Sequence, residues 1–286
     1  MGPHDEAPHP LRADAGRDCA RGDSGRILVT RAIPLTMATT IEVSEEAGVR
    51  YLHFGSRWIQ GAMRIARPWA LELEYTRDMM FPLLLRSGGG WPRSVLLIGL
   101  GAASLTRFLH RQRPRAAQTV VEIEPGVIAV AQQHFKLPAE SARLRIEIAD
   151  GSDYVASSRQ RFDLILVDGY DAKGRTGMLD TLPFYCNCVA RLGERGVLAA
   201  NLMTRDHGIR GSLDRVRAAF DGRALALPMC ASGNVIIVAA GGEAVDIPGI
   251  ELARRARRLH RETGLCLQPG VARLRAALGM ERALRV

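Results

Sequence analysis

The alternation of short apolar runs with helical patterns after residue 90 constrains this chain more than any other feature. Five runs, SVLLIG (94–99), TVVEIE (119–124), LRIEIA (144–149), FDLILVD (162–168) and GVLAANL (196–202), read as buried strands. Helical segments fit 103–112, 125–135, 180–191 and 208–220 between or after them. Strands repeating in turn with helices indicate βαβ units and a doubly wound, mainly parallel α/β sheet. The pair ALALPM and NVIIVAA, separated by Cys230–Gly233, reads as a closing hairpin. Ligands of this architecture bind beyond the carboxyl ends of the strands, so residues at those ends are the candidates for chemistry.

The flanks differ in kind. The first 26 or so residues are rich in Gly, Pro, Asp and Arg without an apolar period, and residues 1–36 are expected to be a disordered tail, with Met37 as an alternative start. From Ile41 to Ile65, β-prone runs broken at Glu46–Gly48 and Gly55–Ser56 indicate antiparallel hairpins, giving a small β unit over 37–70. A helix fits Leu71–Leu85, where Leu71, Tyr75, Met79 and Leu83 recur every four residues. The α/β domain is expected over 71–248. Helical stretches at Ile250–Thr263 and Val271–Leu278 make 249–286 a helical appendage.

Composition narrows the function classes. With 47% hydrophobic and 24% charged residues, and no apolar run near the roughly 18–20 residues of a membrane helix, a soluble globular protein without a membrane span is expected. The polar amino terminus lacks the apolar core of a signal peptide, so a cytoplasmic location is expected. Cys19, Cys186, Cys188, Cys230 and Cys266 include no CxxC pair and no nearby His at ligand spacing, so neither a metal nor a disulfide framework is expected. The formal charge is +9, and every basic residue except Lys136 and Lys173 is arginine. Residues 251–286 hold nine Arg against Glu251, Glu262 and Glu281, so most of the excess is local. Such a tail reads as a solvated helix face, and no nucleic-acid partner is expected.

Acidic residues gather at the strand ends. Gly99-Leu100-Gly101 follows the first strand and precedes a helix, the context in which glycines let backbone approach a ribose or phosphate. Ala102-Ala103-Ser104 follows, without the third glycine of a dinucleotide fingerprint, which counts against NAD. Glu122, 23 residues beyond Gly99, is placed to accept ribose hydroxyls. Asp150-Gly151 ends the third strand, where the carboxylate serves an adenine amine, a helix N-cap, or both. Asp168 ends the fourth strand, and Asp171 follows it on the loop. Acids at three consecutive strand ends beside a GxG loop describe a nucleoside pocket with a further acidic chamber.

The run VLLIGLGAAS, VVEIEPGVIAVAQQHF, IADGSDYV, FDLILVDGYDAKG and FY resembles the spermidine synthase (polyamine aminopropyltransferase) family over about residues 40–240. The resemblance implies a seven-stranded methyltransferase-like (Rossmann-like) sheet and decarboxylated S-adenosylmethionine as co-substrate. It implies a small amine as the other substrate and a homo-oligomer, commonly a dimer. Carried over by position, Glu122 holds the ribose, Asp150 and Gly151 the adenine, and Gln60 lies near the sulfonium. Asp168 is the base, Asp171 holds the polyamine and Tyr75 orients the incoming amine.

Three segments depart from the family pattern. Ala102 stands where the family loop carries an aspartate, Cys230 where a second tyrosine is expected, and Tyr75-Thr76-Arg77 where Tyr is usually followed by His or Gln and then Glu. Arg77 reads either as a solvated residue or as positive charge near the site. Each departure weakens diamine recognition while the adenosine half survives. A methyltransferase using intact S-adenosylmethionine, and a non-catalytic nucleoside- or nucleic-acid-binding protein, therefore stand as alternatives.

Overall fold

Both faces of the central strands are apolar, and the chain covers both. In a computed structural model, which describes residues 30–34, 40–55, 58–88, 90–170, 175–203, 208–279 and 283–286, a seven-stranded sheet runs through the centre. Its strands are β5 (Ser94–Ile98), β6 (Ala117–Glu122), β7 (Leu144–Ile148), β8 (Phe162–Val167), β9 (Leu192–Met203), β10 (Ala224–Ala226) and β11 (Asn234–Ala240). The order is β10-β11-β9-β8-β5-β6-β7, with β11 antiparallel to both neighbours and β5 to β9 parallel. The chain starts this sheet in the middle, at β5, winds outward to β7, and returns to the other side of β5 with β8. The crevice between β5 and β8 is thus the topological switch point where such sheets bind ligands.

Residues alternating along β5 divide the core. Val95 and Leu97 belong to a cluster with α3 (Ser104–Gln112) and α4 (Pro125–His134). Leu96 and Ile98 belong to the opposite one with α5 (Gly151–Ser157), α6 (Leu182–Arg191) and α7 (Arg210–Ala219). The first cluster also takes Ile41, Val43, Leu52 and Met63 from an antiparallel sheet of β1 (Thr30–Pro34), β2 (Thr40–Glu46), β3 (Val49–Phe54) and β4 (Gly61–Arg64). It further takes Leu252, Ala256 and Leu259 of α8 (Gly249–Thr263) and Val271 and Leu274 of α9 (Gln268–Leu278). The carboxyl terminus is tied back where β13 (Leu284–Arg285) pairs with β12 (Asp246–Ile247). No helix among the described residues is long and apolar enough to cross a membrane.

Two expectations need correction. Thr30–Pro34, inside the span expected to be a disordered tail, is a strand whose backbone pairs with β2; residues 1–29 and Met37 lie outside the described residues. The helix expected over Leu71–Leu85 is two short helices, α1 (Glu74–Asp78) and α2 (Pro82–Leu85), separated by turns at Met79–Phe81. Pro82 explains the break. Inside a continuous helix it has no N–H to give, and its ring would meet the carbonyl four residues back. It sits instead in the first turn of α2.

Candidate active site

The loop after β5 turns sharply enough to need glycine. Gly99 has φ +91°, and a Cβ there would collide with the Asp168 backbone carbonyl, so the ends of β5 and β8 touch through a bare Cα. Gly101, at φ +48°, faces the backbone carbonyl of Gln60, 3.7 Å from where a Cβ would stand. The next residue, Ala102, is 3% exposed, and its Cβ meets the Cα side of Gly61 at the start of β4. The wall at position 102 is therefore apolar and closed. The Ser104 hydroxyl donates to the Ala62 carbonyl at 3.0 Å, joining α3 to the same strand.

Glu122 organises the neighbouring edge. Its Oε2 accepts from the Leu100 N–H at 2.8 Å and its Oε1 from the Glu124 N–H at 3.0 Å, so one buried carboxylate holds the loops after β5 and β6 together. Burial pushes its pKa up, against the pull of these backbone donors. One strand further, the Asp150 Oδ1 accepts from Ser152 N at 2.7 Å and Asp153 N at 3.1 Å, capping α5. A Cβ on Gly151 would strike the Ile98 side chain, and the Leu179 side chain closes over Gly151 and Gly169. Leu179 is held in place by its neighbour Asp180, which accepts from the Tyr185 hydroxyl at 2.9 Å and the Ser212 hydroxyl at 2.7 Å. Ile123 and Ile148, at the ends of β6 and β7, are 64% and 62% exposed. Large apolar side chains left open beside Glu122 and Asp150, together with glycine cradles, suit a flat purine edged by polar groups.

Asp168 ends a hydrogen-bonded chain. Its Oδ1 accepts from Asn201 Nδ2 at 2.8 Å, Asn201 Oδ1 accepts from Asn234 Nδ2 at 2.9 Å, and Asn234 Oδ1 accepts from the Ser232 hydroxyl at 2.7 Å. Because Ser232 gives its proton to Asn234, the Cys230 thiol, 2.9 Å from Ser232 Oγ, is the donor at the far end. Every donor points toward the carboxylate. The Tyr75 hydroxyl, from α1, also donates to Asp168, and the Tyr170 hydroxyl donates to the Asn201 carbonyl at 2.5 Å. Burial pushes the Asp168 pKa up to about 6 even though the two donors favour its charged form. Burial and the nearby carboxylate push the Tyr75 phenol well up, which keeps it a donor.

A spermine/spermidine synthase domain matches residues 73–208 of the chain. The polyamine aminopropyltransferase of Chromobacterium violaceum is 39% identical over 199 residues, covering 70% of this chain and 75% of that protein. The chain belongs to the spermine/spermidine synthase family. The curated relatives are named as transferases, and the fold matches solved members of the family. The Thermotoga maritima spermidine synthase superposes with a TM-score of 0.61 at 20% identity, covering 89% of this chain and 88% of that one. Human methyltransferase-like protein 13 in complex with SAH gives 0.59 at 26% identity, covering 67% and 93%.

Of the residues that the sequence singled out, Gly99, Gly101, Glu122, Asp150, Gly151, Asp168, Tyr75 and Gln60 stand at the carboxyl edge of the sheet or on elements packed against it. Asp171 lies outside the described residues. The Arg77 guanidinium donates to the Leu71 and Glu72 carbonyls, bracing the turn before α1. The sequence reading missed Asn201 and Asn234. The signal was present, because an amide inside a strand as apolar as GVLAANL must find a buried partner. Among the described residues no group of three or more His, Cys, Asp or Glu is placed to hold a metal.

Proposed function

We propose that this chain moves an aminopropyl group from decarboxylated S-adenosylmethionine to a small polyamine such as putrescine. The observation that carries the reading is the Asp168 carboxylate, aligned by Asn201 and Tyr75 at the end of β8, beside a glycine cradle fit for a nucleoside. In this reading Gly99, Gly101 and Gly151 admit the nucleoside close to backbone. Glu122 takes the ribose hydroxyls on its remaining lone pairs, and Asp150 offers its Oδ2 to the adenine amine. Gln60 lies by the sulfonium, Tyr75 orients the acceptor, and Asp171 holds its far end by analogy with the family.

The sulfonium co-substrate supplies an alkyl carbon whose leaving group is already activated. The protein has to align an amine and take its proton. As the acceptor nitrogen bonds to that carbon, the carbon–sulfur bond breaks, methylthioadenosine leaves, and the amine proton passes to Asp168. A primary ammonium near 10.4 is a poor donor to an ordinary carboxylate near 3.9. Raising Asp168 to about 6 removes part of that gap, and desolvation of the bound ammonium removes more.

One feature favours a second reading, a methyltransferase using intact S-adenosylmethionine. Ala102, shut against Gly61, presents no carboxylate to attract an aminopropyl amine or to repel a methionine carboxylate. Calorimetry with both co-substrates and product analysis with putrescine separate the two. Spermidine with methylthioadenosine is expected, together with tighter binding of the decarboxylated form. Preference for the intact form and no spermidine would overturn the aminopropyl reading.

A further inference from the structure

We infer that the C-terminal appendage is a working part of the acceptor pocket, with Arg273 of α9 as a positioning residue for Tyr75 and the Cys230 loop. The inference rests on the reading of Asp168 and Tyr75 as the acceptor site. Tyr75 sits on α1, five residues long and far too short to hold its own shape in water. Its carboxylates Glu74 and Asp78, four residues apart on one face of α1, are both gripped by the Arg273 guanidinium. Nη1 meets Glu74 Oε1 at 2.9 Å and Nη2 meets Asp78 Oδ2 at 3.1 Å. The approach is close because residue 270 is glycine: a Cβ there would come within 2.8 Å of Asp78 Oδ1.

The grip extends beyond α1. The second oxygen of Glu74 accepts from the Ala231 N–H at 3.0 Å, and Ala231 follows Cys230, where the donor chain to Asp168 begins. One arginine from the end of the chain thus braces both groups that converge on Asp168: the tyrosine that touches it directly and the loop that feeds its amide relay. A plain anchoring role does not require this arrangement. Arg255 supplies such an anchor for α8, pairing with Glu251 and donating to the Leu84 carbonyl at 3.0 Å without touching α1 or the Cys230 loop.

The test compares Arg273→Met, Arg273→Lys and Arg255→Met in the full chain. Arg273→Met is expected to raise the putrescine KM about tenfold while methylthioadenosine affinity stays within about twofold, and Arg273→Lys to recover most of the loss. Arg255→Met is expected to lower the melting temperature with the putrescine KM unchanged. By hydrogen–deuterium exchange, Arg273→Met should speed exchange in both 73–81 and 229–234, and Arg255→Met in neither. An unchanged KM in Arg273→Met, or an equal rise in Arg255→Met, overturns the positioning role. If the wild-type protein makes no spermidine, the proposed activity falls and the exchange data decide alone. Faster exchange confined to 268–279 would then overturn the inference.

Discussion

Replacing Asp168 with asparagine should make this protein more stable and inactive at once. Burial moves the carboxyl from 3.8 to about 6, which at 1.36 kcal/mol per pH unit amounts to at most about 3 kcal/mol of differential stability. The sign follows from which state binds the proton more tightly. Below pH 3.8 the carboxyl is protonated in both folded and unfolded chains and nothing is lost. As pH rises toward 6 the unfolded chain ionises first, so the folded state loses stability, and above 6 the loss is complete. Asparagine escapes this cost. It keeps an oxygen to accept from Asn201, and its amide can donate to the Tyr75 hydroxyl oxygen once that hydroxyl turns. Asp168 retains an edge on the cleft, so the full figure is an upper bound. Urea denaturation of both proteins without ligand at pH 4, 6 and 7.5 measures the difference. Asp78, also pushed up to about 6 by burial, is common to both proteins and cancels. The gain should be largest at pH 7.5 and fall to about a fifth of that at pH 4, with aminopropyl transfer lost throughout. A gain independent of pH, or a loss at pH 7.5, would refute the account of Asp168 as a desolvated carboxylate held ready for a proton.

Three further outcomes follow from the same geometry. Asn201→Leu removes a donor that favours the charged form of Asp168, so the acid limb of kcat/KM should move upward by about one pH unit, the worth of a hydrogen bond to a charged group; a pH–rate profile reads it. Glu122→Gln leaves one of the Leu100 and Glu124 amides facing an NH2 group, which should cost about 1–3 kcal/mol in denaturant unfolding and weaken methylthioadenosine binding by calorimetry. Gly99→Ala combines a left-handed backbone with a collision against the Asp168 carbonyl, and should lower stability by more than about 2 kcal/mol and abolish nucleoside binding together.

What could be read from the sequence follows from the range of the forces involved. Strand runs such as SVLLI and FDLILV declare themselves because local pattern and burial agree, and β5 and β8 fall within the runs read from sequence. The acids at the strand ends were legible for the same reason: the architecture fixes where a ligand must lie. The break at Pro82 is also local, but the four-residue spacing of Leu71, Tyr75, Met79 and Leu83 runs across it and masks it. Asn201, Asn234 and Arg273 belong to another category. Each makes sense only through a partner from a distant segment: Asn201 through Asp168, Asn234 through Asn201, and Arg273 through Glu74 and Asp78. The basic tail shows the consequence most plainly. Counted as charge, Arg273 was one of nine arginines on a solvated helix face. Yet it is only 33% exposed, and its two partners flank the tyrosine that touches Asp168. Net charge records how many cations a segment carries, whereas the work of any one of them depends on which carboxylates the fold delivers to it.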